Sequence, residues 1–330
     1  MSDISPPFDT IDPILGAVFP AYAVLAGMQL DVFTPLKDGP LRTEEIAAAM
    51  GFNNADRLER LLYALVVAGV LTVEDQRFSN TPASDYFLVQ GRPAYYGDGH
   101  EFWSEIWQGL SQTAASIRTG VPQAHHDYRL KGWEEQLTFF RGLHPDTKAA
   151  GYDLAKRFDF SSYQSVLDVA GGSGALAIAL TEVYPQLQAT VVELPEVTPI
   201  TAHFVTEDGA QERVKVVAAD VVEEALSGAF DSAIIKSFTQ ILGPAQVGRV
   251  LKNVYGALKP GAAIYILTSI LDNSRTSPAA AVYWDLVFLN IYSNGQSYTE
   301  EQYQTWVTEA GFIECTVQLN ERILVARKPL

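Results

Sequence analysis

From about residue 161 to the C-terminus, short apolar strands alternate with helical stretches, and this alternation constrains the fold more than any other feature of the chain. SVLDVA (165–170) reads as a strand and ALAIALTEVY (175–184) as a helix. ATVVEL (189–194), VKVVAAD (214–220), FDSAIIKSF (230–238) and AAIYILTSIL (262–271) read as further strands with helical stretches between them. Parallel neighbours need a crossover, and helices of this length supply it, so the pattern predicts a doubly wound, Rossmann-like α/β sheet. The end departs from it. FIECTVQLN runs into RILVARK through Glu321 with no room for a crossover helix, so the last two strands must form an antiparallel hairpin. A parallel sheet closed by such a hairpin is unusual for a dinucleotide dehydrogenase.

Upstream the pattern is helical. Residues 43–50 (TEEIAAAM) and 55–70 (ADRLERLLYALVVAGV) have helical apolar spacing and are joined by the turn residues Gly51, Asn53 and Asn54. LTVEDQRFSNTP then reads as two short strands around residues 74–77, which completes a winged-helix pattern. Such patterns often bind DNA, but here the second helix carries only Arg57 and Arg60 as basic residues. Residues 1–100 hold six Lys/Arg against thirteen Asp/Glu. A packing or dimerisation module is the better expectation. Residues 101–160 form an aromatic-rich helical region with Phe102, Trp103, Trp107, Tyr128, Trp133, Phe139 and Phe140. His100, His125, His126 and His144 lie in it or at its edge. Polar groups among aromatics suit a small-molecule pocket. The expected division is therefore 1–100, 101–160 and 161–330.

A net charge of −16 with no basic run argues against nucleic acid or an anionic membrane as partner. No run of about 18 apolar residues suggests a membrane span, and MSDISPPFDT lacks the basic and apolar regions of a secretory signal. The single cysteine, Cys315, forms no intramolecular disulfide and fits a reducing cytoplasm. No metal is expected.

The chemistry centres on DVAGGSG at 168–174, a glycine-rich turn between a strand and a helix that lets a ligand approach the backbone. The turn alone does not exclude a dinucleotide, because Ala177 is a tolerated variant at the third glycine of that fingerprint. The acids discriminate more. Asp168 precedes the turn, Glu193 ends the second strand and Asp220 the third, all at the edge where such sheets bind ligands. A carboxylate on the second strand can take both ribose hydroxyls, and one on the third can accept from an adenine amino group. S-adenosylmethionine, with a sulfonium cation and no phosphate, suits an acid-lined crevice better than a pyrophosphate does.

On these residues the chain resembles the small-molecule O-methyltransferases of the plant and bacterial type, relatives of the acetylserotonin and phenylpropanoid enzymes. The family's D-x-G-G-G-x-G matches 168–174 with Ala170 at its first glycine, its E-x-P matches 193–195, and its A-L-K-P-G is present unchanged at 257–261. WDLVFLN (284–290), then GQSYTEEQY and EAGF, resembles the acceptor-lining helix and the segment beyond it. The resemblance implies a dimerising N-terminal region, a homodimer supported also by the apolar N-terminal helices, and S-adenosylmethionine as cofactor. It assigns the cofactor to Asp168, Gly171, Gly172, Gly174, Glu193, Leu194, Asp220, Val221, Lys236 and Ser237. It places the small-molecule acceptor against Trp103, Trp107, Tyr128, His144, Asp285, Phe288, Asn290 and Tyr298.

One departure limits the analogy. O-methylating members carry His-Asp-Trp after the fourth strand, and that histidine deprotonates the acceptor hydroxyl. Counting back from 257–261 without gaps places Gln240, Ile241 and Leu242 there. Glutamine cannot act as a general base. O-methylation with a base relocated to His125, His126, His144 or Asp285 is the default expectation. The alternatives are methylation of a thioether or thiol, which needs no such help, methylation of nitrogen or carbon, and a role without methyl transfer.

Overall fold

The computed structural model describes residues 11–124, 131–318 and 322–330. The chain forms two compact units, 1–104 and 105–330, so residues 105–160 belong to the same unit as the sheet.

In the N-terminal unit, α1 (Asp12–Gly16), α2 (Val18–Gln29), α3 (Thr43–Ala49) and α4 (Ala55–Val67) precede the hairpin of β1 (Leu71–Glu74) and β2 (Arg77–Asn80), and α5 (Pro82–Phe87) follows it. Asp75 and Gln76 hold φ of 47° and 60°, the left-handed pair that suits a two-residue antiparallel turn. Helix α4 buries Leu58, Leu62 and Leu65, spaced four and three apart, in a core with Phe33, Ile46, Leu71 and Phe78. By contrast, Ile14, Leu15 and Phe19 on α1 and α2 remain 70%, 65% and 73% exposed, an apolar face uncovered by the chain's own core.

Helix α6 (Gly99–Ser111) carries the chain into the second unit, where α7 (Thr113–Thr119) and α8 (Trp133–Arg157) precede the sheet. Then follow β3 (Ser165–Val169), α9 (Ala175–Val183), β4 (Gln188–Glu193), α10 (Thr198–Glu207), β5 (Val214–Ala218), β6 (Phe230–Lys236) and α11 (Pro244–Ala257). After β7 (Leu258–Leu267) come β8 (Ile270–Leu271), α12 (Ala279–Ile291), β9 (Tyr298–Thr299), α13 (Glu300–Glu309), β10 (Ile313–Gln318) and β11 (Ile323–Arg327). The seven-stranded sheet runs β5-β4-β3-β6-β7-β11-β10. Its first five members pair in parallel, and β11 pairs antiparallel with both β7 and β10, as the terminal hairpin requires. Alternate residues of β3, β6 and β7 face two cores. Leu167, Val169, Ile235 and Ile264 pack with Val250, Val254 and Val307, whereas Val166, Ile234 and Tyr265 pack with Leu154, Leu176 and Leu180. Burial on both faces explains why these strands read as near-continuous apolar runs.

Three expected strands end two or more residues early. The 262–271 strand breaks after Leu267: the Thr268 N–H donates to the Arg322 carbonyl, and Ile270–Leu271 pairs separately with Tyr298–Thr299. The 230–238 strand stops at Lys236 because Ser237 takes a φ of 53°. The 214–220 strand stops at Ala218, and Asp220 turns the chain by accepting from the Val222 N–H.

Candidate active site

The chain runs from β3 outward to β4 and β5, then returns to β6 on the other side of β3. The C-terminal ends of β3 and β6 therefore flank the topological switch point, where open α/β sheets bind ligands. The turn after β3 is built for close approach. Ala170, Gly172 and Gly174 hold φ of 52°, 59° and 74°. Alanine tolerates at position 170, at a cost of ~1–2 kcal/mol, the conformation that glycine would adopt freely. A Cβ on Gly171 would lie 2.6 Å from Asp168 Oδ2 and 2.8 Å from Val191 Cγ1, and one on Gly172 would lie 2.9 Å from Phe140 Cε1.

Two buried carboxyls face this turn. Glu193 accepts from the Gly172 N–H at 2.8 Å through Oε1 and from the Leu194 N–H at 2.9 Å through Oε2. Burial pushes it up to about 6 against the pull of those two donors. Asp168 is 1% exposed, and neither of its oxygens has a partner within hydrogen-bond geometry. Burial, then the neighbouring Glu193, pushes it up to about 7, offset in part by the Ala177 N–H and by Lys236. Lys236 closes β6, donates to Thr147 Oγ1 at 3.4 Å and is itself depressed by burial. Thus Asp168, Gly171, Gly172, Gly174, Glu193, Leu194 and Lys236 converge on one turn. Asp220 is partly exposed just beyond β5, and Ser237 is exposed just beyond β6. Val221, by contrast, is buried in the sheet's core, with its carbonyl accepting from Asn253. A buried carboxyl pair with one oxygen pair unpartnered fits a nucleoside cofactor that brings cationic and hydroxyl donors, as S-adenosylmethionine does.

On the other side of the switch point, Gln240 sits 7% exposed in a 3-10 turn at Thr239–Ile241. Its Oε1 accepts from Thr268 Oγ1 at 2.6 Å. Thr268 in turn accepts from Thr239 Oγ1 at 3.2 Å, and Thr239 lies 2.7 Å from the Tyr303 hydroxyl. No sequence spacing signalled this relay, because its members come from a loop, a strand exit and α13. His144, expected as a relocated base, has both ring nitrogens engaged: Nδ1 lies 3.0 Å from Ser173 Oγ and Nε2 lies 3.4 Å from Asp208 Oδ2. Its ring stacks on Phe204 at 4.7 Å, and burial holds its pKa below the usual value despite Asp208. So placed, it braces the glycine-rich turn through Ser173 and leaves no nitrogen for an acceptor. Ser173 lay within the glycine-rich motif without being singled out, and Asp208 had no motif to announce it.

The profile of the O-methyltransferase domain family matches residues 105–313, and that of the O-methyltransferase dimerisation domain matches 14–90. The chain belongs to the O-methyltransferase family. It is 26% identical over 326 residues to a tetracenomycin polyketide synthesis 8-O-methyl transferase of Streptomyces glaucescens, covering 95% of this chain and 94% of that one. It is 27% identical over 326 residues to an N,N-dimethyltransferase of Streptomyces rimosus, covering 94% and 93%. Its fold superposes on human N-acetylserotonin methyltransferase in complex with SAM with a TM-score of 0.85, at 22% identity and with both chains fully covered.

The residues expected to line the acceptor lie in differing environments. Asn290 is 0% exposed, accepts from Ser116 Oγ at 2.8 Å and donates to Thr113 Oγ1 at 2.9 Å and the Leu286 carbonyl at 2.8 Å. It ties α12 to α7 and has no donor left for an acceptor molecule. Tyr298, also fully buried, donates to the Leu242 carbonyl and packs edge-on against Trp306, so it supports the loop beyond Gln240 from the core. Phe288 is buried and stacks with Trp284. Asp285 accepts from the Ser297 N–H at 2.5 Å, and burial raises its pKa. It lines an open cleft of about 720 Å³ between α7 and α12, with Ile117, Val121, Leu286 and Gln296. Trp107 is partly buried on α6. Trp103 belongs to the N-terminal unit, where its indole donates to the Tyr96 hydroxyl at 3.2 Å. Tyr128, His125 and His126 lie outside the described residues.

Proposed function

We propose that residues 171–174, Glu193 and Asp220 hold S-adenosylmethionine, and that the enzyme passes its methyl group to a hydroxyl of a small molecule without a general base at position 240. The observation that carries this reading is the buried carboxyl pair at the turn, with both Asp168 oxygens unpartnered. The cofactor supplies an electrophilic methyl on a sulfonium. Glu193 takes the ribose hydroxyls, Asp220 the adenine amino group, and the glycines admit the cofactor to the backbone. The His144–Ser173 contact holds the turn in register.

A second reading is transfer to sulfur or nitrogen. It is favoured by Gln240, which has no basic function, since a thioether or neutral amine carries its lone pair without prior deprotonation. The relative from Streptomyces rimosus is itself named an N,N-dimethyltransferase. Incubation with methyl-labelled S-adenosylmethionine and matched phenol, thioether and amine acceptors separates the two. Label on oxygen supports the first reading, and label confined to sulfur or nitrogen replaces it.

The exposed Ile14, Leu15 and Phe19 support a homodimer through the N-terminal unit, in which α3, α4 and the hairpin form a winged-helix-like packing module. Sedimentation as a monomer at micromolar concentration would remove that role. The lone Cys315 and the acidic charge support a cytoplasmic enzyme that binds no nucleic acid. Among the described residues no helix is long and apolar enough to cross a membrane.

A further inference from the structure

We propose that His144 is a positioning residue for the cofactor. As a neutral imidazole it accepts the Ser173 hydroxyl and so holds residues 171–174 in the conformation that receives S-adenosylmethionine, and on taking up a proton it releases them. The inference rests on the cofactor reading and names how that same site is regulated, by a proton-operated latch separate from the two carboxyls that face the turn.

His144, Lys148 and Tyr152 lie four residues apart on α8 and share one stripe of its surface. His144 Nδ1 lies 3.0 Å from Ser173 Oγ in the turn, and its Nε2 lies 3.4 Å from Asp208 Oδ2 at the end of α10. Lys148 Nζ donates to the same Asp208 oxygen at 2.7 Å and pairs with Glu182 Oε1 on α9 at 3.1 Å. The Tyr152 hydroxyl donates to the other Glu182 oxygen. Helix α8 is thereby tied to the turn, to α9 and to α10 at once. These partners fix the tautomer. Asp208 Oδ2 receives the Lys148 ammonium, so it offers Nε2 a lone pair, and Nε2 carries the hydrogen. Nδ1 keeps its lone pair, and the Ser173 hydroxyl is the donor.

A proton from solvent on Nδ1 inverts that bond. The ring then donates to Ser173 Oγ, and the serine hydrogen needs a new acceptor. Ser173 is 4% exposed, and among the described residues its hydroxyl has no other hydrogen-bond partner. The Gly172 carbonyl already accepts from Thr201 Oγ1 at 2.6 Å, and Gly172 and Gly174 on either side hold left-handed φ of 59° and 74°. A buried hydroxyl without an acceptor is costly, so the protonated ring and the closed turn oppose one another. The surrounding groups set the balance. Burial favours the neutral ring and Lys148 acts with it, whereas Asp208 and Glu207 on α10 favour the cation; the net holds the pKa below its usual value. Arg141 and His203 flank Phe204, the ring on which His144 stacks, and both pair with Glu207. Glu182 on α9 is held by Lys148 and Tyr152, and the charged groups facing the turn are Asp168 and Glu193. The ring is therefore neutral at neutral pH, and in acid it gains a proton, frees the turn and weakens cofactor binding.

The coupling is reciprocal, so a ligand that needs the neutral ring must lower the ring's titration midpoint. Imidazole nitrogen NMR of the isotope-labelled protein, with the His144 signal assigned by its loss in His144→Asn, reads this with and without S-adenosylhomocysteine. The wild type is expected to show the Nε2–H tautomer and a midpoint that falls by about 0.7 to 1 pH unit on saturation. That fall corresponds to roughly five- to tenfold weaker binding by the protonated form. Ionisation of Asp168 and Glu193 on binding would raise the midpoint instead, so the sign separates the latch from the carboxyls. Ser173→Ala should abolish the fall. In calorimetry at pH 7.5, His144→Phe should bind S-adenosylhomocysteine roughly five- to tenfold more weakly. His144→Asn, whose Oδ1 accepts from Ser173 and does not titrate, should recover most of that loss. An Nδ1–H tautomer, a midpoint that the ligand leaves unmoved or raises, a full fall retained in Ser173→Ala, or His144→Asn binding no better than His144→Phe overturns the proposal. Wild type that binds no S-adenosylhomocysteine at all defeats instead the cofactor reading beneath it.

Discussion

The turn after β3 and the seam between α7 and α12 both bury polar side chains, and they treat them in opposite ways. At the seam, Asn290 is sealed from solvent with Ser116, Thr113 and the Leu286 carbonyl all bonded to it. At the turn, Asp168 is as deeply buried and has no donor in hydrogen-bond geometry on either oxygen, only the weaker pull of the Ala177 N–H. An unsatisfied buried polar group costs ~1–3 kcal/mol, so a fold keeps one where a ligand completes it and saturates the rest. The difference separates ties from sites better than burial or residue type. By that criterion Asn290 is a tie, and Asp168 is the side chain that the proposed cofactor would complete.

The largest expected effect comes from filling the turn. Gly171→Ala forces a Cβ to 2.6 Å from Asp168 Oδ2 and 2.8 Å from Val191, neither of which has room to retreat. Stability should fall by ~1–3 kcal/mol, with S-adenosylmethionine binding lost to calorimetry. Gly248→Ala on α11 has nothing within 4 Å of the added atom and serves as the control, with binding unchanged. If Gly171→Ala binds like the wild type, the turn is not the cofactor cradle.

Next in size, Asn290→Leu should cost ~1–3 kcal/mol in urea denaturation, because Ser116 and Thr113 lose their partner, while KM for the acceptor stays within a few-fold. A large rise in KM with stability intact would move the seam into the acceptor site and collapse the distinction.

A smaller effect follows from protons. Asp168 and Glu193 stand at about 7 and about 6, both above their ordinary values. The folded, cofactor-free state therefore binds protons more tightly than the unfolded chain. The stability they contribute is fully present below about pH 4 and is lost as pH rises through 6 to 7. A cationic cofactor favours the ionised carboxyls, so binding should tighten several-fold from pH 5.5 to pH 8 and release protons. Calorimetry in two buffers of different ionisation enthalpy reads that release. Equal heats in both would show that the pair does not titrate with binding.

The same contrast explains what the sequence disclosed. Sheet order, the terminal hairpin and the turn are local patterns: a strand period, a glycine run and acids at strand ends. Residues 168–174 and Glu193 were legible because each acts within a few positions of a recognisable strand. The acceptor side depends on side chains that meet across long separations. Asn290 bonds Ser116 from 174 positions away, and Tyr303 bonds Thr239 from 64. No periodicity encodes such pairs, so a buried asparagine and tyrosine were indistinguishable from pocket residues until their partners were seen. His144 shows the same limit, for its role depends on Asp208, 64 positions on.

The central claim, that the carboxyl pair at the turn receives the cofactor, is tested most directly by titrating S-adenosylmethionine into wild type and Glu193→Ala at pH 8 by calorimetry, with circular dichroism to verify the fold. Loss of a charged acceptor for two ribose hydroxyls, at ~1.5–3 kcal/mol per charged hydrogen bond, predicts affinity reduced by at least about tenfold in a folded variant. Unchanged affinity in that variant would contradict the account.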